Sequence, residues 1–385
     1  MIVFFYYILL SLLHVFLSIP LLLLSFLKQK YKNSIKARFF LYKNSLQEAQ
    51  VHFHACSFGE IRSIAPLLGS FNDVRVSCIT QTGFDEASKK CKKVNFLAFE
   101  TLLPFWFKPC KVLVLFEAEL WLMLVFMAKL RGAKVILLNA RISDKSFNRY
   151  KKFSFFYRKV FSYIDEVFAQ SKLDKQRLEE LGAKNVHEFF NIKACANLEA
   201  NKHYKKNDKE LILFASTHEK EDELLLENFT LNSKQRLIIA PRHPERFKNL
   251  ELFLKQYCKK HSLTFSKFSE FDNFDANFAS DILLVDVLGE LINLYLISDI
   301  VVLGGSFIKG IGGHNPVEPA TFNKIIISGP FIHNQKALFC LVDNIYICED
   351  VALLNEIINK ADKKAMLNFK PSLKPIKDSI KAALV

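Results

Sequence analysis

The chain carries a small set of residues whose types and spacing suit chemistry on a phosphorylated ligand. In the segment VVLGGSFIKGIGGHNPVEPA, residues 301–320, an apolar run ends in Gly304 and Gly305, with Gly310, Gly312 and Gly313 close behind. Such glycines let backbone N–H groups approach a ligand closely. Asn315 is suited to be an N-cap, Pro316 to the first helical position, and Glu318 falls three residues after Asn315. A helix start behind a glycine loop binds anions, because free N–H groups and the helix dipole point at the ligand. The same residues also suit a plain capping box. Glu60, in Ser57-Phe58-Gly59-Glu60, has capping-box spacing too, and at a strand's end it is equally able to accept a proton from an attacking hydroxyl. Glu117 and Glu119 follow another apolar run. Only one of the two is expected to join Glu60; alternatively both are helix-start acids. Lys193 can neutralise charge on a leaving phosphate, and Arg242, just after Pro241, can pair phosphate bidentately. Leu288, Gly289 and Glu290 follow a further apolar run.

These residues need a scaffold that delivers each to one edge, and the sequence reads as one. Strand-like runs at 51–56, 74–80, 112–116, 135–139 and 165–170 alternate with helix-like runs at 61–68, 84–90, 120–130 and 173–181. After a polar stretch, NLEANKHYKKNDKE, the alternation restarts. Strands are expected at 211–215, 237–240, 282–285, 300–303 and 325–328, and helices at 221–229, 247–261 and 291–297. Repeated βα alternation implies parallel sheets covered by helices, with ligands at the carboxyl ends of the strands. The expected division is an anchor at 1–27, a Rossmann-like domain at 28–196, a linker at 197–210, and a second Rossmann-like domain with C-terminal helices at 211–385. Ser216-Thr217-His218-Glu219 repeats the strand, S-x-x-E, helix pattern of Ser57–Glu60.

Composition narrows the partners. The net charge is +14, yet there is no zinc-finger spacing, RNA-binding aromatic signature or compact basic block, so nucleic acid is excluded in favour of anionic lipid or acidic substrates. The eight cysteines are scattered without a C-x-x-C pair and read as reduced core residues of a cytosolic protein. From Ile2 to Leu27 no residue is formally charged, and Lys28, Lys30, Lys32, Lys36 and Arg38 follow. That run is long enough for a hydrocarbon core of about 30 Å, and the trailing positive charge puts the body of the protein on the cytoplasmic side. Pro20 and His14 also suit a kinked or interfacially embedded helix.

The ordered series HACSFGE (54–60), FEAELW (116–121), NARISDKS (139–146), STHEKE (216–221), APRHPERF (240–247), LGEL (288–291) and GGSFIKGIGGHNPVEPA (304–320) resembles the bacterial Kdo transferases of lipid A assembly. The resemblance runs from the anchor to about residue 330 and implies an inverting, metal-independent enzyme of the two-domain GT-B fold, α/β, with two Rossmann-like domains facing a cleft. It implies transfer of 3-deoxy-D-manno-octulosonic acid (Kdo) from CMP-Kdo to the lipid A precursor lipid IVA at the inner membrane, in lipopolysaccharide biosynthesis, with no cofactor. It makes Glu60 the base, adds Glu117, Glu119 and Lys193 to the catalytic set, and assigns Pro241, Arg242, Leu288, Gly289, Glu290, Asn315 and Glu318 to the CMP pocket. The chain departs from the family in having FEAELWLM where Met-Glu-Thr-Glu-Leu-Trp-Pro-Asn is usual, and Phe190-Asn191-Ile192-Lys193-Ala194-Cys195 where a Gly-Asn-Leu-Lys-Phe-Asp type is usual. Two other readings share these features: a GT-B enzyme moving sugar from a UDP-sugar to a lipid, and a non-catalytic, membrane-tethered nucleotide-binding protein in which Glu60 is only a cap.

Overall fold

The structure, a computed structural model, describes residues 1–28, 31–195, 200–205, 208–271, 279–369 and 372–384. The chain forms two compact units, residues 1–196 with 371–385, and residues 197–370.

The first unit is built on β1 (Val51–His54), β2 (Val74–Cys78), β3 (Val94–Phe96), β4 (Val112–Phe116), β5 (Lys134–Ala140), β6 (Glu166–Ala169) and β7 (Val186–Glu188). All pair in parallel, in the order β3-β2-β1-β4-β5-β6-β7. Runs such as Val112–Phe116 are buried at every position, as expected when helices cover both faces. The order reverses between β1 and β4, so the loops leaving these two strands diverge and leave an opening at their carboxyl ends.

In the second unit β8 (Glu210–Thr217), β9 (Gln235–Pro241), β10 (Phe265–Lys267), β11 (Ile282–Leu284), β12 (Ile300–Leu303) and β13 (Ile325–Ser328) precede β14 (Val342–Asp343), β15 (Ile345–Ile347) and β16 (Met366–Leu367). The large sheet is again parallel and seven-stranded, ordered β10-β11-β9-β8-β12-β13-β15, with its reversal between β8 and β12; β14 and β16 form a small antiparallel pair.

Every expected strand and helix has a counterpart, with ends shifted by a few residues, while β3, β10 and β15 and the helices Asp144–Lys152 and Ser154–Phe161 were not anticipated. Three expectations need correction. The C-terminal helix Lys374–Ala382 does not belong with the second domain: Leu373, Ile376 and Ile380 are buried in the first unit among Val51, Ile64, Leu68 and Val112. The expected linker is partly docked, since the N–H groups of Asn201 and Lys202 donate to Asn293 Oδ1 at 3.0 and 3.2 Å, and Tyr204 Oη donates to Glu290 at 2.6 Å. Residues 197–199, 206 and 207 of that stretch, and Lys30 after the anchor, lie outside the described residues. Finally, Cys340 is exposed; all eight cysteines are free thiols.

The helix Ile2–Leu27 is long and apolar enough to cross a membrane by length and composition. It runs through Pro20 without a break. One face is docked on the first unit. Tyr7 Oη donates to Thr101 O at 3.0 Å, His14 bridges Thr101 Oγ1 (2.6 Å) and Phe39 O (3.0 Å), and Lys36 Nζ sits 4.1 Å over the Phe26 ring. The other face exposes Phe5, Leu9, Leu12, Phe16, Ile19 and Leu23.

Because Ile376 is fully buried in the first unit's core, Ile376→Ala is expected to destabilise that unit by about 2–5 kcal/mol. Urea denaturation followed by fluorescence of Trp106 and Trp121, both in the first unit, measures this; an unchanged transition would refute the docking of the terminal helix.

Candidate active site

Glu60 lies on the first turn of the helix Phe58–Leu68, immediately after β1. Its carboxylate reaches back. Oε2 accepts the Cys56 N–H at 2.7 Å, and Oε1 accepts the Ser57 hydroxyl at 3.1 Å. Ser57 itself makes no capping bond, so the reciprocal box is not formed. The same device recurs in the second unit, but through Glu221 rather than the expected Glu219, which is exposed. Glu221 is completely buried and accepts three backbone N–H groups, from His218 (3.0 Å), Gly305 (2.7 Å) and Phe307 (3.0 Å). The contrast separates the two roles. Glu221 is saturated by backbone and is structural. Half-buried Glu60 keeps acceptor capacity for another proton donor. Burial, with the negative charges of Glu119 and Glu117, pushes its carboxyl above the ordinary glutamate value.

Glu117 and Glu119, two residues apart, would share one side of an extended backbone, and the expectation that only one joins Glu60 does not hold. Glu117 has φ 55°, a left-handed turn at the end of β4, pinned by its N–H to Leu138 O at 2.8 Å. Both carboxylates bear on Glu60. Asn139, also left-handed with φ 56°, joins the pieces. Its Nδ2 donates to Glu117 Oε1 at 3.2 Å, its Oδ1 accepts the Ile192 N–H at 2.9 Å, and its carbonyl accepts from Gln170 Nε2 at 2.9 Å. Lys193 pairs with Glu117 at 2.9 Å, so its charge is already partnered within the unit. Glu119 accepts from Trp121 Nε1 at 2.6 Å and from the Cys56 thiol, and lies 3.5 Å from His54 Nε2. Burial pushes its carboxyl up, but His54, Cys56 and Trp121 outweigh it and leave Glu119 below the ordinary value. The four expected residues are therefore one cluster. His54, Cys56 and Asn139 complete it; they stood within the quoted motifs, but only the fold reveals that Asn139 holds three strands' ends together. His54, Cys56 and Glu119 are also the residues that could hold a metal.

In the second unit the glycine loop serves the fold more than a ligand. The N–H groups of Gly304, Gly305 and Gly313 are spent on Ala215 O, Glu221 and Gly305 O. Gly304 has no room for a Cβ, which would stand 2.7 Å from Ser216 O. The expected N-terminus also shifts. The helix is Val317–Thr321, a little over one turn, with Pro316 rather than Asn315 in the cap position. Asn315 Oδ1 still accepts the Val317 N–H at 3.0 Å, and its amide meets Glu318 Oε1 at 3.2 Å, side chain to side chain instead of a capping box. So short a helix supplies little dipole, and anion recognition falls to side chains.

Arg242 stands exposed just after buried Pro241 at the end of β9, its N–H bonded to Thr217 O at 3.0 Å. Arg242 and Glu318 both act on the buried Tyr295 hydroxyl, which places them in one cluster. Beside it, His218 and His314 meet Nε2 to Nε2 at 2.9 Å. Burial, followed by neighbouring cationic side chains, holds His218 down to about 4 and His314 to about 3, so both rings are neutral at physiological pH. Leu288 is exposed and Gly289 has φ 90°. Glu290 is buried and already engaged by Lys202, Tyr204 and Asn293.

A family model described as 3-deoxy-D-manno-octulosonic-acid transferase (kdotransferase) matches residues 33–196. The 3-deoxy-D-manno-octulosonic acid transferase of Haemophilus influenzae is 30% identical over 379 residues, spanning 91% of this chain and 87% of that protein. The chain belongs to the Kdo transferase family. A bifunctional glycosyltransferase/methyltransferase of Fusobacterium nucleatum is 32% identical over 338 residues, and the chain spans about half (52%) of that longer protein. Among solved structures, UDP-GlcNAc 2-epimerase from Neisseria meningitidis bound to UDP-GlcNAc matches 87% of this chain and 93% of its own, with 11% identity and a TM-score of 0.54. That likeness concerns the fold, and with the two parallel seven-stranded sheets it places the chain in the GT-B class.

The two imidazoles fix a pH dependence. In the unfolded chain they take up protons near the ordinary value of 6.5, whereas in the folded chain they do so only near 4 and 3. Between these limits the unfolded state binds more protons, so stability falls as pH drops below about 6.5. Replacing both with glutamine is expected to lessen the fall in melting temperature between pH 7 and pH 5, measured by calorimetry on the detergent-solubilised chain. An undiminished fall would mean that the rings are not held neutral.

Proposed function

We propose that the protein is an inverting glycosyltransferase that moves Kdo from CMP-Kdo to the lipid A precursor, lipid IVA, releasing CMP. The observation that carries this reading is Glu60, a half-buried carboxylate with spare acceptor capacity and a raised proton affinity, set at the order reversal of a parallel sheet. The acceptor hydroxyl attacks the anomeric carbon as Glu60 takes its proton. Direct displacement by one base inverts the centre without a covalent intermediate. Glu117 and Glu119 keep Glu60 basic, and Lys193 positions Glu117 rather than meeting the leaving group itself. The donor belongs to the second unit. There Arg242 pairs the phosphate, Asn315 and Glu318 fix the nucleotide with Pro241, and Leu288 and Gly289 line it. Glu290 positions that loop through Lys202, Tyr204 and Asn293.

The N-terminal helix is best read as an inner-membrane element lying in the interface. At about 1.5 Å per residue its 26 residues are long enough to span. Yet its contacts with the first unit run from Tyr6 to Phe26, nearly its whole length, leaving one apolar face for lipid. The basic residues after it and the net charge of +14 suit an anionic surface and an anionic donor and acceptor. The catalytic units face the cytoplasm in this reading.

The direct test supplies purified protein with CMP-Kdo and tetra-acylated lipid A precursor and measures product mass and nucleotide. A product heavier by whole Kdo residues with equimolar CMP is expected. UDP release from a UDP-sugar would assign a different GT-B enzyme, and CMP binding without turnover a non-catalytic protein. Glu60→Gln keeps an oxygen for the Cys56 N–H and is expected to lower kcat at least about 100-fold, the scale of general-base catalysis, with the melting temperature unchanged. Near-normal turnover would remove Glu60 as the base. Arg242→Ala is expected to weaken CMP binding by about 1.5–3 kcal/mol, the worth of a charged hydrogen bond; equal affinity by calorimetry would rule out the phosphate contact.

A further inference from the structure

At the end of β1 a buried imidazole has one nitrogen that nothing in the protein satisfies. His54 is fully buried. Its Nδ1 lies 3.0 Å from Ser77 O, an atom that only accepts, so Nδ1 carries the ring proton and donates it there. Nε2 has no hydrogen-bond partner and meets Glu119 Oε2 only at 3.5 Å, too far for a good hydrogen bond. The Cys56 sulfur closes the group: one nitrogen, one sulfur and one carboxylate oxygen all lie within 4.8 Å of one another. Among the described residues no other group of His, Cys, Asp and Glu side chains brings three ligand atoms so close.

We propose that His54 Nε2, Cys56 Sγ and Glu119 form a binding site for a soft divalent cation of the zinc type. The mixed nitrogen, sulfur and oxygen set suits such an ion in a tetrahedral site with one position left open. Bond lengths of about 2.0–2.3 Å set ligand atoms about 3.3–3.7 Å apart, the separation already seen between His54 and Glu119. The surrounding groups are those that orient metal ligands. Ser77 O and Oγ, each 3.0 Å from Nδ1, fix the His54 tautomer, and Trp121 Nε1 holds the Glu119 carboxylate at 2.6 Å. On binding, the Cys56 S–H bond breaks, sulfur donates its electron pair to the metal, and one proton leaves to solvent. The ion ties the end of β1 to the loop after β4 beside Glu60. It acts as a clip, no step of sugar transfer passes through it, and with Glu119 bound to the cation the negative charge of Glu117 keeps Glu60 basic.

The test uses the full-length chain in detergent, stripped with chelator and titrated with Co2+. One equivalent is expected to give a near-ultraviolet sulfur-to-cobalt charge-transfer band, which one equivalent of Zn2+ removes. Zn2+ is also expected to raise the melting temperature. Cys56→Ser, with seven other cysteines in place, should abolish the band and the thermal shift, and Glu119→Gln should weaken Co2+ binding at least tenfold. Circular dichroism of the metal-free variants checks that both are folded; if Cys56→Ser is not, Glu119→Gln decides. No band in the wild-type chain at millimolar Co2+, an undiminished band in Cys56→Ser, or unchanged affinity in Glu119→Gln would each overturn the site.

Discussion

Both units depend on the same requirement: backbone N–H groups that emerge buried where a parallel strand gives way to a helix must find acceptors. At such an end the sheet ladder has stopped and the helix ladder has not begun. A carboxylate reaching back from the first helical turn meets the need in each unit, Glu60 for Cys56 and Glu221 for His218, Gly305 and Phe307. Because both units place this turn beside the reversal of strand order, the group that completes the fold also stands where a ligand enters. Whether it becomes functional depends on what it has left over. Glu221, sealed and triply bonded, has little; Glu60, half-buried, has more.

This explains what was legible in the sequence. Strands such as Val112–Phe116 and Ile300–Leu303 announce themselves because a strand buried on both faces must be apolar throughout. The edge strands β3, β10 and β15 are short, each with a polar or exposed position, and carry no such signal. The polar, lysine-rich helix Asp144–Lys152 buries no residue and was equally hidden. The place of the C-terminal helix was not readable either: Ile376 and Ile380 show that it needs an apolar partner but not which core supplies it.

The site was legible in its residue types and less so in its geometry. Only one of Glu117 and Glu119 is expected beside Glu60, yet residues two apart share a face of an extended chain, and both carboxylates raise Glu60. Lys193 is expected to neutralise charge on a leaving phosphate, but Asn139 bonds the Ile192 N–H and the Glu117 side chain together, and the lysine follows into an ion pair with Glu117. The glycine loop was read as an anion cradle. The N–H groups of Gly304 and Gly305 are already needed to close β12 onto β8, through Ala215 O and Glu221. Motif spacing cannot reveal such prior claims on donors, because they come from the other strand.

The remaining difference lies between two carboxylates of one cluster. Glu60 and Glu119 are each partly buried, and burial alone would raise both. Glu119 has an imidazole, a thiol and an indole turned toward it, and these partners hold it as a stable anion. Glu60 has one N–H and one hydroxyl, and the fixed negative charge of Glu119 nearby. The partners that lower one carboxyl thus maintain the charge that raises the other. Environments that push two acids apart in this way assign them different tasks, the settled anion holding structure and field, and the frustrated one taking the proton. His54 and Cys56 therefore matter to a base they do not touch through their side chains.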